Sequence, residues 1–401
     1  MTCTQIQRKE HRRKILLGGA AYLVHAFGNS LAGTVRAEPQ ARLSLSTFGG
    51  MPGASPARLK DAFSKAFEQL RAVGGGELIV PAGKYDFGSC NTGINVVAAD
   101  DLRDVFISAY GAKFRLHTKA TVVPCLFYFS NPTNVTLAGA SFTDTGYDPK
   151  VDWRGMYCVR SEASRESSGF RMVDCHADGA VGLFQSMQND ESKYLMKRIR
   201  LHATLKNVYY GAGLTYVGEH ADIDLDCENV RRGCIAYGLR NASIAIRMKH
   251  AAGAMGSNGF ICLISEGARA GNVENIRIRL MASGAAAHSG LIHFYHQQKE
   301  AQGSMRNIHA EVMVNNLSGE KNVKTNIFVF DHETPDATIL SSTRRQWDGI
   351  HLSGRVNGEL SGRVIHNPSV STSPGAIYLA PELAARADMS TLPKYFHVKA
   401  A

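Results

Sequence analysis

Between residues 56 and 72 the apolar positions recur at helical spacing, so that Leu59, Phe63, Ala66, Phe67 and Leu70 share one face. Ser55 is placed to cap this helix, Pro56 suits its first position, and Gly74-Gly75-Gly76 stops it. Beyond the glycines the period falls to two. A short strand, Glu77 to Val80, runs into the turn Pro81-Ala82-Gly83-Lys84-Tyr85. Alternating segments then recur with Ile199, Ile223, Ile244, Ile276 and Ile308 as their first apolar residues, at intervals of 24, 21, 32 and 32. A second series opens on glycine at Gly213, Gly233, Gly259 and Gly290. Two strand series in step, separated by loops of changing length, describe a coiled stack of parallel strands. Stacking the first series predicts an outward column of His202, Asp226, Arg247, Arg279 and Glu311, read as a solvated charge ladder. Strands at Ile350–Leu352 and Ala376–Leu379 would close the C-terminal end, from about residue 335 to 401.

The N-terminal pattern is that of a known family. Phe48-Gly49-Gly50, the amphipathic helix, and Gly74 through Tyr85 in the form GGG–apolar–P-x-G-x-Y together resemble the start of pectate-lyase-like proteins. The resemblance covers about 40 residues directly. It implies an all-β fold, a right-handed parallel β-helix, with the N-terminal helix (about 56–72) capping the open end of the core. Such a cap makes physical sense, because an uncovered end would expose apolar surface and unpaired backbone. Repeat folds escape the usual link between length and domain number, and no Pro/Ser-rich linker divides the chain. Residues 38–401 are therefore expected to form one domain.

Residues 1–37 read as an export signal. Arg8 to Lys14 form a basic region that includes Arg12-Arg13, an apolar stretch runs from Ile15 to Phe27, and Val35-Arg36-Ala37 offers a cleavage site. The segment resembles a twin-arginine signal, with Ile15, Leu16 and Leu17 after the arginine pair, which implies a periplasmic or secreted protein that crosses already folded. A retained anchor is the alternative, but the apolar run is shorter than the ~20 residues of a span. The formal charge of the whole chain is +10; the segment carries six cations and Glu10, which leaves +5 for the rest. That balance favours acidic partners only weakly. No basic stripe with interleaved aromatics points to nucleic acid, no membrane contact is expected after signal removal, and no trimerising tail is visible. Seven cysteines remain after Cys3. Several lie in apolar runs, such as Gly233-Cys234-Ile235-Ala236, so they read as buried thiols, and no CxxC pattern suggests a metal.

Three clusters carry candidate chemistry. Polygalacturonase-type hydrolases resemble this fold and carry Gly-Asp-Asp-Cys-Val/Ile-Ala on a central coil. The matching stretch here is Arg231-Arg232-Gly233-Cys234-Ile235-Ala236, with Arg232 and Gly233 where the acids would stand. Hydrolysis needs a carboxylate pair, so its loss points elsewhere. A lyase acting on a uronate needs a cation for the developing enolate, a base, and sometimes an acid. Arg231, Arg232, Tyr237, Arg240 and Lys249 supply cations and an aromatic, while Tyr209, Tyr210, Tyr216, Glu219 and His220 precede them by one coil. The bland alternative pairs the arginines with Asp222, Asp224, Asp226 and Glu228. The second cluster, Asp174-Cys175-His176-Ala177-Asp178, places acid, imidazole and acid in alternation, for a base or for Ca2+ between the two aspartates. The bland reading is an exposed polar strand face. The third, His293-Phe294-Tyr295-His296 with Gln297 and Gln298, puts His293 and Tyr295 on one face, suited to stacking on a sugar.

The expectation is thus a polysaccharide lyase for an acidic glycan. Its catalytic candidates are Arg232, His176, Asp174, Asp178, Tyr210 and His220. Its binding candidates are Tyr209, Tyr216, Glu219, Arg231, Tyr237, Arg240, Lys249 and His293. A hydrolase using Asp174 and Asp178 or Glu219, and a non-catalytic glycan-binding protein, are the rivals.

Overall fold

The computed structural model of the protein describes residues 41–119, 122–151, 154–187, 195–215, 217–251, 259–265, 271–286, 290–296, 304–319, 324–332, 347–367 and 376–399. The expected export signal, Tyr216, Gln297 and Gln298 lie outside the described residues. Within them the chain is nearly all β, apart from helix α1 (Pro56–Ala72), a four-residue helix at Pro381–Ala384 and two short 3-10 turns. No described helix is long and apolar enough to cross a membrane.

Helix α1 has the predicted bounds. The Ser55 hydroxyl accepts from the Arg58 backbone N–H at 3.4 Å, and Leu59, Ala62, Phe63, Ala66, Phe67 and Leu70 are buried. Phe63 reaches Phe87, Phe114 and Phe127 at ring separations of 6.1, 6.1 and 5.2 Å, and Phe67 meets Phe129 at 6.0 Å. The apolar face of the helix therefore packs on interior aromatics of the first strands.

The strand pairings are parallel, and each links one pass of the chain to the next. They form three ladders, here called sheets A, B and C. Sheet A begins at Gly76–Ile79, Arg103–Ser108 and Thr133–Ala138. Sheet B begins at Gly83–Cys90, Ala112–Thr118 and Ser141–Asp144. From Arg171–Met187 onward, single long strands serve both ladders: Arg171–Met187 and Met196–Leu214, whose C-terminal ends also enter sheet C, then Val217–Glu228, Arg240–Ala251, Val273–Ala286, Met305–Gly319 and Trp347–Leu360. Sheet C runs through Asn95–Asp100, Cys125–Ser130, Tyr157–Glu162, Arg232–Tyr237, Ile261–Ser265, Gly290–His296 and Asn326–His332. Alternate residues point inward, and one apolar cluster extends from Leu45 to Phe396. The seven cysteines among the described residues are buried and free, as small apolar side chains would be.

The corners explain much of the Asn and Gly usage. Where the chain enters sheet A, one residue per pass takes positive φ: Asp104, Asn134, Gly169, Arg198, His220, Asn241, Asn275, Asn307 and Gly349. The pairing register aligns them in one column. Asn and Asp tolerate that conformation, and their side chains bond along the column. Asn134 donates to Asp104 at 2.8 Å, Asn275 to Asn241 at 2.9 Å and Asn307 to Asn275 at 2.8 Å. A second column turns sheet B toward sheet C through Asn207, Asn229 and His250, with Asn229 donating to Asn207 at 2.7 Å.

The register corrects the predicted charge column. His202 aligns with Asp224, Ala245, Arg279 and Glu311, whereas Asp226 and Arg247 belong to the neighbouring column with Thr204 and Met281. Ile223 pairs with Leu201 and Ile278 with Ile244, two positions from the predicted alignment, whereas Ile223 with Ile244 and Ile276 with Ile308 align as the pattern predicts. The ladder itself exists: Arg279 Nε meets Glu311 at 3.1 Å, and Arg247 bridges Asp224 at 2.7 Å and also contacts Asp226. In the second series Gly213 pairs with Ile235, two positions past Gly233, while Ile261 with Ile292 keeps the strands that open at Gly259 and Gly290 in step.

Candidate functional site

Sheet C has two apolar faces. Its inner face joins the main core. Its outer face carries a separate cluster of Tyr157, Val181, Tyr209, Tyr210, Ile235, Cys262 and Ile264, with Tyr147, Tyr237 and Tyr295 packed against it. Parallel register builds this face. Tyr157, Gly182, Tyr210 and Arg232 form one outward column; Arg160, Gln185, Gly213, Ile235, Cys262 and His293 form the next. Gly182 is needed here, since a Cβ would come within 2.3 Å of the Tyr157 ring.

Cations lie on the phenol rings. The Arg231 guanidinium sits 4.2 Å from the Tyr209 ring centre, and Arg160 sits 4.4 Å from that of Tyr157. Arg232 Nη1 donates to the Tyr210 hydroxyl at 3.2 Å. Tyr209 and Tyr210 are in ring contact at 4.5 Å. Arg231 and Arg232 are each only 8% exposed. Aromatic faces and a phenol oxygen thus surround guanidinium groups that solvent barely reaches. Arg231 and Arg232 are therefore not on the face of Asp222, Asp224 and Asp226, which lie on the outer side of the A and B ladders; the bland pairing expected for them does not form.

Burial raises the Tyr210 pKa, the nearby Arg232 opposing it, and burial raises that of Tyr157 as well. Both phenols hold their protons at neutral pH, so Tyr210 is suited to donate a proton. The Cys262 thiol is pushed up to about 12 by burial; Arg232 lowers it and Asp331 raises it. Those opposing influences put Arg232 and Asp331 in the same neighbourhood as Cys262. On the following pass His293, wholly buried, lies with Nε2 3.8 Å from Asp331 and its ring 5.4 Å from Tyr295.

Of the sequence candidates, Arg231, Arg232, Tyr209, Tyr210, Tyr237 and His293 come together here. The others do not. His220 occupies the positive-φ column at the entrance to sheet A, where a corner residue is required. Glu219 and Arg240 flank that corner 4.0 Å apart, and the Arg240 Nε donates to the Gly218 carbonyl at 3.4 Å. Lys249 stands on the outer face of sheet B opposite Glu228. His176 and Asp178 also lie on sheet B, but Asp174 does not continue their alternation. With φ of 52° it turns the corner, its carboxylate between the Tyr110 hydroxyl at 2.9 Å and His202 Nδ1 at 3.0 Å. Asp178 accepts from Asn207 at 3.0 Å. Both aspartates of the expected Ca2+ pair are thus engaged by neighbouring side chains, and among the described residues no three His, Cys, Asp or Glu side chains group as metal ligands.

Tyr147, Tyr157, Arg160 and Asp331 were not singled out from the sequence. Tyr157 and Arg160 stand three passes before Arg232 and Ile235 in the same columns, a relation that the strand register alone reveals.

No protein-family model matches the chain, and no curated protein does. Among solved structures, the A-module of a mannuronan C-5 epimerase from Azotobacter vinelandii is 12% identical, covering 90% of this chain and 100% of its own, with a TM-score of 0.29. The tailspike protein of the E. coli bacteriophage HK620 is 11% identical, covering 89% of this chain and 78% of its own, with a TM-score of 0.33. Similarity at that level assigns neither a family nor an activity, and the chemistry has to be read from the outer face of sheet C.

Proposed function

We propose that the three ladders are the faces of a right-handed parallel β-helix, exported from the cell, that cleaves an acidic glycan by β-elimination on the outer face of sheet C. Right-handedness follows the general rule for parallel strands joined by crossovers. The observation that carries the activity is the buried Arg232–Tyr210 contact, with Arg231 on Tyr209 beside it. A uronate carboxylate placed against Arg231 and Arg232 loses its charge penalty, which acidifies the proton on the adjacent carbon. His293, beside Asp331, takes that proton. The electron pair passes through the carboxylate-stabilised carbanion, the bond to the 4-linked oxygen breaks, and Tyr210 protonates the leaving oxygen. His293 is wholly buried, so the glycan must displace side chains that cover it.

The test uses residues 38–401 and a panel of acidic polysaccharides, with the ultraviolet absorbance of the unsaturated product as the readout. Absorbance should rise on at least one member and be lost in Arg232→Ala, provided the variant melts as a folded protein. A flat trace with new reducing ends would replace the lyase by a hydrolase. Retention on glycan without any product would make the protein a binder.

A further inference from the structure

The outer face of sheet A holds a groove that the reaction above does not use. Its cavity is about 630 Å³ and its floor is made of small side chains, Ala242 and Ser243. Register places Arg171, Arg200, Asp222, Ser243, Arg277 and His309 in one outward column, each one pass from the next. Arg198 lines the same groove. Four arginines against the single carboxylate of Asp222 leave three net positive charges, with the imidazoles neutral. Arg200 meets Asp222 at 3.3 Å. Arg171, Arg198 and Arg277 have no carboxylate partner among the described residues. A second hollow of about 500 Å³ continues the column past Arg277 and His309 to His351, Tyr378 and Lys399.

We infer that this groove binds an anionic polysaccharide strand along the column, at a site separate from sheet C. Sheet strands lie ~4.8 Å apart, so Arg200 and Arg277, three passes apart, span ~14 Å. That spacing selects an elongated ligand with repeated negative groups over a single small anion. The rings decide between a glycan and a single-stranded nucleic acid. His309 stacks on His351 at 4.7 Å and 8°, and His351 on Tyr378 at 4.9 Å and 15°. Their faces are occupied by one another, so bases find no free platform. The groove's role is to hold the chain, and it does not depend on the β-elimination reading.

Affinity electrophoresis through gels containing polygalacturonate or alginate tests this, with dextran gels as the neutral control and single-stranded DNA as competitor. The wild-type protein should be retarded by a polyuronate and not by dextran, and less so at high salt. Arg171→Ala with Arg277→Ala should weaken the apparent affinity at least tenfold, as should Ser243→Asp, which puts a carboxylate on the exposed floor. Lys249→Ala, on the outer face of sheet B and outside both sites, should remain retarded. Binding is read without turnover, so loss of the lyase reading would leave this result intact. Absence of retardation, full retardation of both groove variants, or preferential binding of DNA would each overturn the assignment.

Discussion

Tyr210→Phe removes one oxygen and little volume, so it isolates the chemistry assigned to that residue. The side chain is 7% exposed and its hydroxyl accepts from Arg232 at 3.2 Å. Losing a hydrogen bond to a charged group costs about 1.5–3 kcal/mol of stability. Losing a general acid slows turnover by about 10²–10⁴, equivalent to ~3–5 kcal/mol in the barrier. The variant should stay folded, melt modestly lower and lose kcat far more than substrate affinity. The pH profile gives an independent check. Burial raises the Tyr210 pKa above its ordinary 10.0, so an acid at this position stays protonated through neutral and mildly alkaline solution. Wild-type activity should therefore show no alkaline decline from this group below pH ~10. The assay is initial-rate ultraviolet absorbance across pH, paired with thermal melting. Wild-type kcat in Tyr210→Phe, or activity that climbs as the phenol ionises, would refute the reasoning.

Three further expectations concern the scaffold. Phe63→Ala should lower stability to urea by about 3–5 kcal/mol, because its ring is wholly buried among Phe87, Phe114 and Phe127; an unchanged midpoint would show that helix α1 does not seal the core. Asn275→Ala should cost about 1–3 kcal/mol by equilibrium unfolding, since it breaks the bonds to Asn241 and Asn307 and leaves alanine at φ of 57°. The buried thiols should resist alkylation at pH ~8 in the native state and react on denaturation, burial having pushed Cys125, Cys175, Cys234 and Cys262 up to about 12. Rapid native labelling would contradict their placement.

Helix α1 was legible to the residue because its signals are local: a cap, a proline, an apolar stripe and three glycines. Strand faces were legible too, since a period of two separates inside from outside. Register was not. A pattern that repeats every two residues looks the same after a shift of two, and only hydrogen bonding chooses between the alternatives. That is why Asp226 and Arg247 were placed in the column of His202. The same limit scattered the candidate site. Residues 209–250 are close in sequence, but each pass of the chain visits three sheets, so Tyr210 and Arg232 meet while Glu219, His220 and Lys249 turn to other faces. Conversely, Tyr157 shares a column with Arg232, 75 residues later, because each occupies the same position in its own pass. His220 shows a different failure: its chemistry suggested catalysis, but its backbone position calls for a residue that tolerates positive φ.

The corner columns have a consequence for how the molecule comes into being. Each side-chain bond along them joins a residue to one only some 20–35 positions earlier, as Asn229 joins Asn207 and Asn307 joins Asn275. Structure can then grow as a moving front, every new pass templated on the one just laid down, with no distant segment to wait for. Helix α1 closes the start of that front and leaves the growing edge at the other end. An interruption during synthesis would accordingly leave a shorter but ordered stack with one raw edge, and that edge, rather than any exposed core, is where such a fragment would recruit another chain.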